Sequence, residues 1–395
     1  MNPTVLEWSG LLVRWFHMIA GIWWIGSSLY FVWLDNSFEP PKESREGVEG
    51  ETFMVHGGFY YLVEKRLMQP GKMPETLHWF KWEATFTWIS GMLLLTVVYY
   101  LTGGAYLVDP QVANITTGTA VAISLATVFL SWLIYDTLWQ TLGKKSVPAG
   151  TAISLAMLLG LAYGLCHTFS GRAAYIHMGA ILGTIMVANV WIRILPGQQK
   201  MLDDAMAGKT PDYSQGKWAK VRSVHNSYMT FPVLFMMISN HYAQTFGNQE
   251  NWVVLILLMV FGAGIRHYMI THEQHRPANW VWAPVAAALA VLIWMTAPQK
   301  PAAATTDGGE QVHFSQVQAI ISVRCLQCHS SSPSDDVFKT APNGVTFETP
   351  EQIRKMADRI KVRAVDSKAM PLGNKTNMTD EEREILGRWL AQGAP

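Results

Sequence analysis

Long apolar runs, broken by polar stretches, occupy the first 297 residues of this chain. A membrane-crossing helix needs about 20 mostly apolar residues. Eight runs come near that measure, at roughly 8–34, 79–101, 117–139, 150–168, 173–195, 223–243, 251–270 and 279–297. The pattern then changes: "TAPQKPAAATTDGGEQ" at 296–311 is rich in Pro, Ala, Thr and Gly and reads as a flexible linker. Residues 312–395 carry the amphipathic patterning of a small helical unit. The expected fold class is all-α, with an eight-span bundle over 1–297, a linker over 298–311 and a compact C-terminal domain over 312–395. The stretch 52–68 is too polar to span and is expected as an interfacial or loop helix. "RWFHMIAGIWWIG" at 14–26 and "AYIHMGAILGTIM" at 174–186 both set His-Met near one end of a helix, which suggests two parallel four-helix repeats.

Composition agrees. Half of the residues are hydrophobic and 15% are charged, against roughly 25% in soluble proteins. A net charge of +1, with no basic stripe, excludes a strongly basic nucleic-acid binder. The N-terminus lacks the basic region and small-residue cleavage site of a removable leader, so the first helix is expected to direct insertion. Basic residues collect in alternate loops: Lys42, Arg45, Lys65, Arg66 and Lys72, then Lys144 and Lys145, then Arg193 to Arg222, then Arg266 and Arg276. The intervening loops hold only Arg172, so both termini are expected outside the cytoplasm.

The C-terminal domain holds the most specific motif, Cys325-Leu-Gln-Cys328-His329. C-x-x-C-H is the haem c attachment pattern, with thioethers from Cys325 and Cys328 and one iron ligand from His329. No second Cys pair follows to complete a zinc site. Haem c is attached outside the cytoplasm, on the side the loop charges assign to this domain. Met356, Met370 and Met378 are candidates for the sixth iron ligand. Met370 is assigned, because "SKAMPLGN" is a Pro- and Gly-containing loop that can extend across a haem face. Cys166, alone in an apolar run, reads as a buried thiol.

Ionisable groups inside spans are costly and mark function by default. One set, Arg14, His17, His167, Arg172, His177, Asn240 and His241, falls toward the outer side. Another, including Glu83, Asp136, His225, Asn226, Arg266 and His267, falls toward the inner side. His17 and His177 read either as ligands of a second, b-type haem, as interior hydrogen-bonding residues, or as the wall of a substrate pocket. Glu83 reads as a general base or as a structural partner of Arg266 or His225.

The helix "LLVRWFHMIAGIWWIGSSLYFVWLDNSFEPP", the segment "TLHWFKWEATFTWISGMLLL" and the terminal "CLQCH" together resemble the bacterial integral-membrane urate oxidases, eight-span domains fused to a cytochrome c. The resemblance implies oxidation of urate to 5-hydroxyisourate in the inner membrane. Electrons would pass to the fused haem c, and on to a downstream cytochrome or terminal oxidase, rather than to peroxide. It also implies a class I-like cytochrome c domain on the periplasmic side. Arg14, Arg266 and Asn226 are then candidates to bind the urate anion, and Glu83, His17, His177 or His225 to accept its proton. Read from the residues alone, a dehydrogenase for another small reductant or quinol, or a non-catalytic haem-containing electron-transfer protein, stands beside this reading.

Overall fold

The computed structural model describes residues 3–297 and 311–395. Helices dominate: α1 (Pro3–Ser37), α2 (Trp82–Leu95), α3 (Thr117–Lys145), α4 (Val147–Cys166), α5 (Gly171–Ala188), α6 (Leu195–Met206), α7 (Tyr213–Ile238), the short α8 (Ala243–Phe246), α9 (Asn251–Glu273) and α10 (Trp282–Thr296). A π turn at Asn189–Ile194 joins α5 to α6, and another at Thr96–Tyr100 extends α2. The helix starts are written in side chains. Thr116, Ser146, Ser170 and Asp212 each accept a hydrogen bond from a first-turn amide, satisfying donors that have no partner within the helix.

Helix α5 is the centre of the bundle and packs on α2, α3, α4 and α7. It is buried on nearly every side, through Ala173, Ala174, Tyr175, His177, Met178 and Ile181. Gly171 opens it because a Cβ there would lie 2.1 Å from the Phe246 carbonyl oxygen. Helix α1 is peripheral. It packs along α2, touches α9 and α7, and leaves Trp8, Trp15, Ile22 and Trp23 exposed. Among the described residues, six helices are long and apolar enough to cross a membrane: Thr4–Ser37, Thr117–Lys145, Val147–Cys166, Gly171–Met206, Asn251–Glu273 and Asn279–Thr296. The other two expected spans are also helices. However, α2 has only 14 residues before its π turn, and the first turns of α7 carry Lys217, Lys220 and Arg222.

The expected helix over 52–68 is instead a β-hairpin, β1 (Val48–His56) paired antiparallel with β2 (Phe59–Arg66), so the fold is not all-α. Gly57 and Gly58 both have positive φ, +61° and +80°. That pair forms the two-residue turn whose twist suits a hairpin, and the β-branched and aromatic residues flanking it favour strands. Arg45 bridges the carboxylates of Glu51 on β1 and Glu64 on β2. The two His-Met segments do not sit in equivalent settings. His17 bonds to Ser90 of the following helix and His177 to Ser124 of a preceding one.

The expected linker lies outside the described residues except for Gln311. Beyond it, α11 (Phe314–Arg324), α12 (Pro350–Lys355), α13 (Ala357–Ile360) and α14 (Asp380–Ala391) enclose a second core. Val317, Ile321, Ile353, Leu386 and a fully buried Trp389 form that core. Helix α14 packs on α11, with Phe314 and Trp389 rings 5.9 Å apart. Thr379 and Glu382 close a reciprocal capping box at the start of α14.

This unit caps one end of the bundle. Thr340 donates to Glu7 at 2.9 Å, the Phe338 ring meets Tyr106 at 5.8 Å, and Ala369 packs against the bundle core. Gly373 sits against the 105–108 loop, where a Cβ would come within 3.0 Å of the Val108 carbonyl oxygen. The opposite, open end carries the hairpin, α6 and the start of α7.

Candidate functional site

Toward the open end, the polar interior is built around Asp136 of α3. Its carboxylate accepts from Arg193 Nε at 2.9 Å and from Arg222 Nη2 at 2.8 Å, and Arg193 Nη2 completes the fork. One residue earlier, the Tyr135 hydroxyl meets His225 Nδ1 at 2.6 Å and accepts from Asn189 at 3.2 Å. Asn189 also donates to Asn226 at 3.0 Å, and Asn226 donates to the Met186 carbonyl at 2.9 Å. Trp139 lies 4.1 Å from the His225 ring. His225 and Asn226 are thus engaged with neighbouring helices. Buried polar groups satisfied in this way hold helices in register. Asp136, 5% exposed, is the centre of that network.

Two buried ionisable groups stand outside it. Arg266, 1% exposed on α9, donates through Nε to Ser227 at 3.0 Å, while Nη1 and Nη2 have no hydrogen-bond partner among the described residues. Glu83, 3% exposed on α2, has no partner at Oε1 and forms no ion pair with Arg266, His225 or any other described residue. Helix α1 packs against both α2 and α9. Thr87 reaches to 4.0 Å from a Cβ placed at Gly21, and Asn36 meets Glu273 at 3.5 Å. Counting about 1.5 Å of rise per residue from those two levels sets Glu83 and Arg266 within about two helical turns of each other in depth. A desolvated guanidinium and a desolvated carboxyl with unfilled hydrogen-bonding positions are what a small polar anion with ring N–H groups would use.

Near the capped end, His177 is fully buried with both ring nitrogens engaged, Nε2 with Ser124 Oγ at 2.6 Å and Nδ1 with the Ala173 carbonyl at 2.7 Å. Phe169 stacks on it at 4.6 Å. Its ring therefore has no nitrogen left for iron, and a b-type haem held by His17 and His177 does not fit this interior. His17 Nδ1 bonds Ser90 at 2.9 Å, and Gly91 leaves room for its ring, a Cβ there coming 3.1 Å from Cε1. Arg14 is exposed on α1 and makes no hydrogen bond or ion pair with a described residue. An edge-to-face file of rings begins beside His177. Tyr99 lies 6.1 Å from it, Tyr106 6.2 Å from Tyr99, and Phe338 of the capping unit 5.8 Å from Tyr106. The position-by-position reading of spans did not single out Tyr99, Tyr106, Tyr135 or Asn189. Tyrosines in apolar runs carry no local signal.

In the capping unit, Cys325 ends α11, and the Cys328 and His329 amides both donate to its carbonyl, at 3.2 and 2.9 Å. Cys325 and Cys328 are free thiols. His329 donates through Nδ1 to the Val345 carbonyl at 2.9 Å, which fixes the ring and leaves Nε2 without a protein partner. That is the second-shell bond a metal-ligating imidazole uses. Burial pushes its pKa down, toward the neutral ring that ligates a metal. Met370 packs at the rim of the same core, its backbone tied by N–H to Arg363 at 2.8 Å and by its carbonyl to Arg383 at 2.7 Å. Met356 also borders that core, and Met378, 2% exposed, precedes the cap of α14. Among the described residues, no group of three or more His, Cys, Asp or Glu could hold a metal ion.

Fold and interior together describe a helical bundle, several of whose helices are long and apolar enough to cross a membrane, with desolvated ionisable groups and a small thiol-bearing helical unit on one end. The chain belongs to the urate oxidase N-terminal family, whose model matches residues 3–297. No curated protein and no solved structure matches the chain. The family points to an oxidoreductase of the urate oxidase kind, with urate as its substrate.

Proposed function

We propose that the bundle oxidises urate to 5-hydroxyisourate and passes the electrons to a haem c attached at Cys325 and Cys328. The single observation that carries the site is Arg266, a fully desolvated guanidinium with two terminal nitrogens unfilled. Urate plus water gives 5-hydroxyisourate, two protons and two electrons. Arg266 binds and orients the urate anion through Nη1 and Nη2. Glu83 takes a ring N–H proton as the charge leaves the purine. His225 and Asn226 support the pocket through the Tyr135–Asn189 network rather than touching the purine. His329 and Met370 would hold the iron of such a haem, and the group would supply a one-electron acceptor there. The residues fit it: His329 has Nε2 free and its ring held, and two unpaired thiols lie within one turn of it. Electrons leave singly along the rings of His177, Tyr99 and Tyr106.

The six long apolar helices, with α2 and α7, are read as spans of a bacterial inner membrane. The basic loops face the cytoplasm and the capping unit the periplasm, where a downstream cytochrome or terminal oxidase collects the electrons. Adding urate to oxidised, strictly anaerobic protein should raise the reduced c-type α band, and Arg266→Gln should slow that reduction about 10- to 100-fold, the worth of a charged hydrogen bond. A haem that dithionite reduces but urate does not would sink the internal-acceptor mechanism.

A further inference from the structure

Three arginines meet at the seam between bundle and capping unit without a carboxylate. Arg172, at the start of α5, stands over the rings of Tyr106 and Phe246, 5.5 Å from each centroid. Its buried Nε has no hydrogen-bond partner. Arg14 comes from α1, which packs on the π turn Thr96–Tyr100 that holds Tyr99. Arg363 is half-buried in the π turn Lys361–Asp366 of the capping unit, which packs on α8, the helix whose Phe246 ring lies under Arg172; burial together with the like charge of Arg172 pushes its pKa down.

None of the three side chains hydrogen-bonds or ion-pairs with a described residue. Nearby acids are engaged elsewhere. Glu7 accepts from Thr340, Glu250 from Trp252, and Asp109 from the Gln111 amide. In the capping unit, Asp335 and Asp336 hold Lys375, and Glu382 holds Arg324. Hydroxyl donors are present as well: Asn240 donates to the Tyr99 oxygen at 3.3 Å, the Tyr99 O–H has no acceptor among the described residues, and the Tyr106 hydroxyl has no protein partner there. Like charges pressed together at a partly desolvated seam repel. An oxyanion there would remove the repulsion and take the forked geometry guanidinium offers.

We propose that Arg14, Arg172 and Arg363, with the Tyr99 and Tyr106 hydroxyls, form an oxyanion-binding site that joins the capping unit to the bundle. Two sources supply such a group, the carboxylates of the porphyrin attached next door at Cys328 and a free phosphate. The attached porphyrin rests on the proposed haem; the site itself does not.

The test uses the full-length protein in detergent, with Arg172→Gln, Arg363→Gln and the charge-keeping Arg172→Lys, and inorganic phosphate as probe against chloride at equal ionic strength. If porphyrin carboxylates fill the site, both glutamine variants lower the haem midpoint potential, Arg172→Lys does so less, and phosphate changes nothing. If a free anion fills it, phosphate raises the melting temperature of the wild type by about 2 °C or more, and the glutamine variants lose that shift. No change in potential and no phosphate-dependent shift in well-folded variants would overturn the site. A wild type without covalent haem would refute the haem reading separately and leave the phosphate arm to decide.

Discussion

The two ends of the bundle treat arginine differently. Near the open end, Arg193 and Arg222 share the carboxylate of Asp136, and the hairpin acids Glu51 and Glu64 take Arg45. At the capped end, Arg14, Arg172 and Arg363 have no acid. Arg266, near the open end by depth, sides with the unpaired group, since Ser227 satisfies one of its nitrogens and nothing satisfies the other two. A buried guanidinium with a carboxylate is frame, because removing either partner strands a charge. One without a carboxylate is held ready by the fold for something that arrives.

The largest expected effect separates these two classes. Asp136→Ala should destabilise the bundle by about 3–5 kcal/mol, the loss on breaking a buried ion pair, read as a lower melting temperature in detergent. Arg266→Gln should move stability by less than about 1 kcal/mol, since it removes a charge that no carboxylate compensates, while urate-driven haem reduction falls. Equal melting temperatures for Asp136→Ala and the wild type would show that water reaches the Asp136 network and would dissolve the contrast.

Much of this was legible in the sequence. Apolar runs of spanning length located the six described helices that are long and apolar enough to cross a membrane, because desolvating a helix flank needs a continuous apolar surface whatever its neighbours. The spacing of Thr379 and Glu382 carries the cap of α14 in the sequence itself, because a capping box is local. The hairpin was misread as a helix because aromatic and charged residues in 52–68 mimic an amphipathic helix; the Gly57-Gly58 pair was the signal against it. Burial singled out Glu83 and Arg266, but that they form no ion pair could not be read, since it depends on how α2 and α9 pack around α1. His177 looked like a ligand from its position; only its contacts with Ser124 and Ala173 show both nitrogens in use.

A smaller effect tests whether the acids of the capping unit are committed. Burial alone would raise the Glu382 pKa. Arg324, at 3.0 Å from both oxygens, and the Thr379 amide more than offset it and hold it below the ordinary 4.5. A carboxylate depressed in the folded state stabilises above its unfolded pKa, and that contribution fades as pH falls through the folded value. Stability of the capping unit should therefore decline as pH drops below 4.5, the unfolded value. Glu382→Gln should remove about 1 kcal/mol at neutral pH and flatten the acid response. An unchanged acid response in that variant would place the titration elsewhere.

The smallest effect isolates the hairpin that only the open end possesses. A Cβ at Gly58 would meet nothing within 4 Å, yet its φ of +80° is a conformation that residues with side chains rarely adopt. Gly58→Ala therefore involves no collision, and its whole penalty is backbone strain of about 1 kcal/mol. The strain falls on a turn remote from the seam, so amide exchange should quicken along Val48–Arg66 while haem spectrum and potential stay those of the wild type. If exchange quickened equally at Arg172 and Arg363, the two ends would be one cooperative unit, and the different treatment of their arginines would no longer separate frame from site.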